Sequence, residues 1–303
     1  MPDLPATHSP GVRGGWHNML TSGEISNFNR HMYLGRRSAA AYVKYARRTG
    51  IKPAEATILS ELKGEIKERA ILDIGVGAGR TTPYLTELSR DYIGTDYSAD
   101  MLAACGRQFP NVSFRRCDAR DMSSFADGQF HLVFFSYNGI DSNGPEDRSK
   151  ILREIHRILD EGGIFVFASL NRNKKTIRAY DWRNVRFTLN PIVMAGRIIR
   201  YPIGIWNQLQ WKKYEVETEE YSLRNTYDTF HAYSILLYHI APLQQKRQLS
   251  LHDFELMMVV NYDGQIVAPD APDDSPEIYY VARKISAAAP ELAPRGAQDT
   301  GKH

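Results

Sequence analysis

With 303 residues, 43% hydrophobic and 24% charged, the chain can bury a full core, and its make-up excludes a fibrous or largely disordered protein. A formal charge of +3 is too mild to argue by itself for nucleic acid. Two cysteines, Cys105 and Cys117, offer neither a disulfide framework nor metal-ligand spacing, and no apolar run has the length of a signal or spanning segment, so a reducing, cytoplasmic setting is expected.

Residues 1–15, rich in Pro and Gly, are expected to be mobile. From Ser26 to Ala46 the pattern is helical, and residues 51–69 form a further amphipathic helix carrying Ile58, Leu59, Leu62 and Ile66. An apolar run then closes on Asp73. Glycines follow at alternate positions, Gly75, Gly77 and Gly79, and a helix opens at Thr81-Thr82-Pro83, which together spell strand, tight turn, helix. A second strand at 91–95 leads to Asp96, about 20 residues past the glycines, the spacing at which a carboxylate meets ribose hydroxyls. Beyond it come a helix at 99–107, strands at 112–116 and 130–135, a helix at 146–159 and a strand at 164–169. Such alternation predicts a doubly wound α/β fold with a mostly parallel sheet and ligands at the carboxyl ends of its strands.

After Asn171 the pattern changes. Between Arg172 and Lys213 ten basic residues face one acid, Asp181, an excess of +9, with Tyr180, Trp182, Phe187, Tyr201, Trp206 and Trp211 among them. A segment this long is expected to bind or to cover a site. Residues 211–223 look like an exposed strand paired with 227–238. A helix at 241–250 and strands at 254–260 and 278–283 resume the core, Asp263-Gly264 opens the connection between those strands, and the tail from Ser286 is expected to be unstructured.

The glycine pattern is GxGxG, where a pyrophosphate-binding corner has GxGxxG, and S-adenosylmethionine carries no phosphate. On DIGVGAGR with Asp73, GTDYS with Asp96, Cys117-Asp118-Ala119-Arg120-Asp121-Met122, Phe130–Phe135 and Leu159-Asp160-Glu161-Gly162-Gly163, the chain resembles the class I S-adenosylmethionine-dependent methyltransferases. The resemblance implies a seven-stranded Rossmann-like sheet over 70–171 and 240–285, a flexible N-terminus and helical cap over 1–69, an insertion after the fifth strand at 172–239 forming a substrate lid, and a disordered tail at 286–303. It implies S-adenosylmethionine as cofactor, with Asp73 toward its cationic end, Asp96 on the ribose diol and Asp118 on the adenine amino group. Tyr97, Met101 and Ala119 would wall the base, against the competing reading of core packing. Tyr33, Arg36 and Arg37 on the N-terminal cap are candidates for the methionine carboxylate or the substrate, against the competing reading that they cap the sheet, and Ser136 stands at the pocket mouth. Transfer from a sulfonium needs alignment more than a nucleophile, and a base only for a protonated acceptor. The candidates for acceptor and base chemistry are Tyr137, Asn138 and Asp141 after the fourth strand, and His231 and His239 where the insertion returns.

The acceptor is expected to be a small polar molecule, methylated on oxygen or nitrogen, of the natural-product, sugar or polysaccharide kind. The basic, aromatic insertion suits an anionic one; a nucleic-acid or anionic-membrane surface and a merely solvated lid are its alternatives. Nucleic acid is less favoured, since no RNA-binding module accompanies the domain. A homodimer is left open. Rival readings are an RNA or protein methyltransferase, a non-catalytic sensor and a nicotinamide enzyme.

Overall fold

In the computed structural model, residues 20–34, 36–175, 181, 187–225 and 235–285 are described. The parallel core consists of β1 (Ile71–Ile74), β2 (Tyr92–Asp96), β3 (Ser113–Arg116), β4 (Phe130–Phe135) and β5 (Leu159–Asn171) in the order β3-β2-β1-β4-β5. The order reverses between β1 and β4, which opens a crevice at their carboxyl ends. β10 (Glu277–Lys284) runs antiparallel between β5 and β9 (Phe254–Val260). These are the seven strands that the sequence leads one to expect.

The side chains of the central strands alternate between two cores. Ile71, Leu132, Phe134, Ile164 and Val166 pack on one face with Ile58, Leu62 and Ile66 of α3 (Pro53–Ile66). Leu72, Val133, Phe135, Phe165 and Phe167 pack on the other with Ile151, Leu152 and Ile155 of α6 (Pro145–Ile158). Strands covered on both faces read as continuous apolar runs, as β4 does. Helices α4 (Thr82–Leu88), α5 (Ala99–Gln108) and α8 (Pro242–Ser250) complete the layers.

Three features depart from the expected elements. The N-terminal helix is two helices, α1 (Ser22–Tyr33) and α2 (Arg36–Thr49), because Leu34 takes extended backbone and ends α1. Residues 191–211, for which no element was expected, form the long helix α7 (Pro191–Trp211), capped by the Asn190 side chain with Pro191 in its first turn. Finally, Val216–Glu217 (β6) pairs first with Ser222–Arg224 (β7), and β7 then pairs with Leu237–Ile240 (β8), so the expected single long strand at 211–223 is a short hairpin. The stretch 227–234 and the two expected mobile ends, 1–15 and 286–303, lie outside the described residues.

β8 pairs in parallel with Leu170 and Asn171, beyond the point where β4 leaves β5 at Phe167. It thereby extends the sheet over the end of β4. Ile25 and Phe28 of α1 pack with Trp211, Leu223, Leu236, Tyr238 and Ile240, which ties the N-terminal helix to this extension.

Candidate active site

A cavity of about 620 Å³ opens at the carboxyl ends of β1, β2 and β4. At its floor, the glycine corner turns with left-handed backbone at Gly75, Gly77 and Gly79, φ +65°, +55° and +77°. Space is as restrictive as conformation: a Cβ at Gly79 would lie 2.5 Å from Phe109 Cε2, and one at Gly75 3.0 Å from Phe135 Cε2. Gly75 and Gly77 line the cavity. Gly79 lies against Phe109 and does not.

Asp73 is buried at the end of β1, where its Oδ2 accepts from Thr81 Oγ1 (2.6 Å) and Tyr92 OH (2.9 Å). It therefore fastens the start of α4 to the strand. Burial pushes its carboxyl up to about 7. Asp96 accepts from Ser98 N (2.8 Å) on Oδ1 and from Gly77 N (3.0 Å) on Oδ2, and burial pushes it up to about 6. One carboxylate thus holds the glycine turn against the second strand. Both acids line the cavity.

A desolvated carboxylate favours a ligand that brings positive charge. An ammonium held against Asp73 would select its ionised form, so as pH falls through about 7 a proton would have to leave before such a ligand binds. S-adenosylhomocysteine, which keeps the ammonium, is expected to bind roughly tenfold more weakly at about pH 6 than at about pH 8. Calorimetry across that range checks this, and Asp73→Asn should flatten the dependence. A wild-type affinity indifferent to pH would show that Asp73 does not meet the cofactor's charge.

Tyr97, Met101, Asp118 and Ala119, the residues expected at the base, all line the cavity. Burial raises the Asp118 carboxyl, but hydrogen bonds and charge from Arg120, with the charge of Arg30, outweigh it and hold the carboxyl below its usual range. Oδ1 accepts from Arg120 N and Nε, and Oδ2 from Arg30 Nη1 (2.6 Å) and Arg120 Nη2 (2.8 Å). Those four bonds fill the carboxylate's acceptor sites, so an adenine amino group meets Asp118 only if an arginine gives way. The Arg30 guanidinium also lies 4.8 Å over the Tyr97 ring.

Sequence reasoning missed a buried polar network beside the glycine corner. Glu55 of α3 is fully buried and takes two bonds from Arg80, at 2.5 and 2.6 Å, with further donors in Ser136 Oγ, Tyr279 OH and Lys52 N. Arg80 also donates to Ser136 Oγ (2.7 Å) and to Gly50 O (3.0 Å). Lys52 pairs with Glu277, which accepts from Asn138 Nδ2 (2.8 Å) as well. Arg80 is the last residue of the glycine motif, and Glu55 stands three residues after Lys52 as in a capping box; those were the available signals.

Tyr137 and Asn138 both adopt left-handed backbone, φ +58° and +57°. Asn tolerates this region; for Tyr it is strained. The pair turns the chain sharply at the end of β4, and both residues line the cavity with Ser136. The Tyr137 ring has Lys52 Nζ 4.1 Å from its centroid and Tyr45 edge-on at 5.5 Å. The buried Asn138 Oδ1 has no hydrogen-bond partner.

The structure does not bring Asp141 to the cavity. It is fully buried, its Oδ1 accepting from Arg148 Nη1 (2.5 Å) and Ser169 Oγ (2.7 Å) and its Oδ2 from Leu170 N (2.6 Å), and burial pushes it up to about 6. Three residues after Asn138, it sits in a short 3₁₀ turn that points inward. His239 does line the cavity. Its Nδ1 lies 2.9 Å from Leu237 O, so that nitrogen carries the proton and Nε2 the lone pair, and burial lowers its proton affinity to a pKa of about 4. His231 lies outside the described residues. Tyr33, Arg36 and Arg37 fall in α1 and α2, with side chains outside those described.

A glycine corner followed by an acid at the end of the next strand, at the switch point of a doubly wound sheet, defines a Rossmann-like nucleoside-binding domain. Residues 71–163 match the family described as "Methyltransferase domain". The demethylmenaquinone methyltransferase of Chlorobaculum parvum is 33% identical over 104 residues, 34% of this chain and 41% of that one. The arsenite methyltransferase of Aquipseudomonas alcaligenes is 31% identical over 119 residues, 35% and 34%. The chain thus spans less than half the length of these curated relatives. Among solved structures, the 1,6-didemethyltoxoflavin-N1-methyltransferase of Burkholderia thailandensis, with bound 1,6-didemethyltoxoflavin and S-adenosylhomocysteine, superposes with a TM-score of 0.54 at 13% identity over 90% of this chain and 94% of that one, a likeness of fold. Residues 71–163 thus carry a domain of that methyltransferase family, for which S-adenosylmethionine is the expected cofactor. The residues present fit that cofactor: a glycine corner with left-handed backbone at Gly75 and Gly77 and two desolvated acids on one cavity.

Proposed function

We propose that the chain transfers a methyl group from S-adenosylmethionine to an oxygen or nitrogen of a small polar acceptor, with anionic acceptors favoured. The observation that carries this is one cavity lined both by Asp73 and Asp96 and by His239, Tyr137, Asn138, Lys174 and Lys175. When bound, the cofactor supplies an electrophilic methyl on a sulfonium. The chain's own residues then have to orient the acceptor and hold its proton. In this reading Asp73 and Asp96 take the amino-acid and ribose portions, and Tyr97, Met101 and Ala119 take the base. His239 Nε2, unprotonated at neutral pH, accepts from the acceptor's O–H or N–H. Lys174 and Lys175 attract negative charge, and together with His239 they come to this half of the site from the segment 172–239. The proteins compared above are named for demethylmenaquinone, arsenite and 1,6-didemethyltoxoflavin, so likeness gives no single acceptor.

The test is formation of S-adenosylhomocysteine with a panel of small phenols, carboxylic acids, amines and sugar phosphates. Turnover is expected with one of these classes. On that acceptor His239→Asn is expected to lower kcat by about a hundredfold or more while KM changes little. Cofactor binding without turnover on any of them would favour a sensor, and full activity in His239→Asn would remove the histidine from the chemistry.

A further inference from the structure

Helix α7 is apolar on the wrong side for a helix in water. Every described exposed residue between Pro191 and Leu209 is apolar. Ile192, Ile199, Ile203 and Trp206 recur at intervals of seven, four and three, which places them in one stripe along the helix. Ile192 is 83% exposed, Ile199 66% and Trp206 58%, values typical of surface lysines. The opposite side carries the burial, with Gly204 and Trp211 in the interior. A continuous exposed stripe of this kind marks a surface that is covered in use.

The charges around the stripe say by what. From Asn190 to Tyr214 there is no acidic residue, while Arg197, Arg200, Lys212 and Lys213 fall within it and Lys174 and Lys175 precede it. Lys212 and Lys213 are exposed just past the end of the helix. Aliphatic residues and a tryptophan on one side with cations at the flank are the make-up of a helix that lies in a membrane interface. Among the described residues no helix is long and apolar enough to cross a membrane. Nucleic acid would need cations on the outward stripe, where Ile192, Ile199, Ile203 and Trp206 are apolar. A second copy docking stripe to stripe would bring two sets of like charges together.

We propose that α7 lies in the surface of a bilayer containing anionic lipid, its Ile192–Trp206 stripe among the acyl chains and Lys212 and Lys213 at the headgroups. This docking does not depend on which acceptor is methylated. It places the chain at the membrane face, where an acceptor carried by a lipid is within reach.

The purified full chain is tested by co-sedimentation with vesicles of phosphatidylcholine alone and with phosphatidylglycerol added. Binding is expected with the anionic vesicles, weaker without them and weaker in high salt. The triple variant Ile199→Asp, Ile203→Asp, Trp206→Asp is expected to bind about a hundredfold less or worse. Its S-adenosylhomocysteine affinity should stay unchanged, which shows that the fold is intact. Failure of the wild-type chain to sediment with anionic vesicles overturns the proposal, as does equal sedimentation of the variant. Light scattering that shows a dimer in the wild type and a monomer in the variant overturns it in favour of a second copy, and RNA binding lost in the variant overturns it in favour of nucleic acid.

Discussion

Asp96→Ala is expected to weaken cofactor binding by about 2 to 4 kcal/mol, roughly thirty- to a thousandfold in the dissociation constant. Two effects add. The variant lacks the acceptor that we assign to the ribose diol, where charge-assisted bonds are stronger than neutral ones. It also leaves Gly77 N and Ser98 N, which donate to the carboxylate at 3.0 and 2.8 Å, without that partner, so the glycine turn loses its tie to the second strand. Asp96→Asn separates the two: its amide keeps one oxygen for the turn but loses the charge, and should fall between wild type and Asp96→Ala. The measurement is calorimetric titration with S-adenosylhomocysteine. An unchanged dissociation constant in Asp96→Ala would remove the acid from the cofactor site.

The second large effect falls on stability. Glu55 and Arg80 form a charge pair with Glu55 fully buried and Arg80 only 9% exposed. Burial opposes the ionised Glu55, yet Arg80, the Lys52 backbone and Ser136 hold its carboxyl below the usual range. Removing one member of such a pair leaves a desolvated charge without its counterion. Glu55→Ala is expected to destabilise the chain by about 3 to 5 kcal/mol in urea unfolding with little change in slope. The double variant Glu55→Leu, Arg80→Met should recover much of the loss, because no charge is then left buried. Since Arg80 also holds Gly50 O at the end of α2, both variants should weaken cofactor binding as the corner loosens. A loss below about 1 kcal/mol for Glu55→Ala would mean that water reaches the pair.

That Asp73, Gly75, Gly77 and Asp96 meet at one cavity was legible because the signals are local. Asp73, Gly75 and Gly77 lie within five residues of one another, and Asp96 ends the next strand, so a linear pattern suffices to bring them together. Asp118 was legible as a position but not in its bonds, since Arg30 comes from a helix far away in sequence. Asp141 illustrates the opposite problem. A carboxylate six residues past a strand end looked available for the acceptor, and the left-handed turn at Tyr137 and Asn138 sends it inward to Arg148. No spacing rule encodes that turn, because neither residue is a glycine.

The amino-acid order by itself determined the parallel sheet, the glycine corner and the two acids that close its first strands, since continuous apolar runs, alternating elements and left-handed glycines are properties of neighbours along the chain. Only the tertiary structure decided that Glu55 and Arg80 neutralise each other beside the corner, that β8 prolongs the sheet past the end of β4 and carries His239 into the cavity, and that α7 turns its apolar side outward. The physical reason is shared by all three. Burial, and the pairing of a charge, depend on what the rest of the fold brings near, and a residue's own neighbours in sequence do not record it.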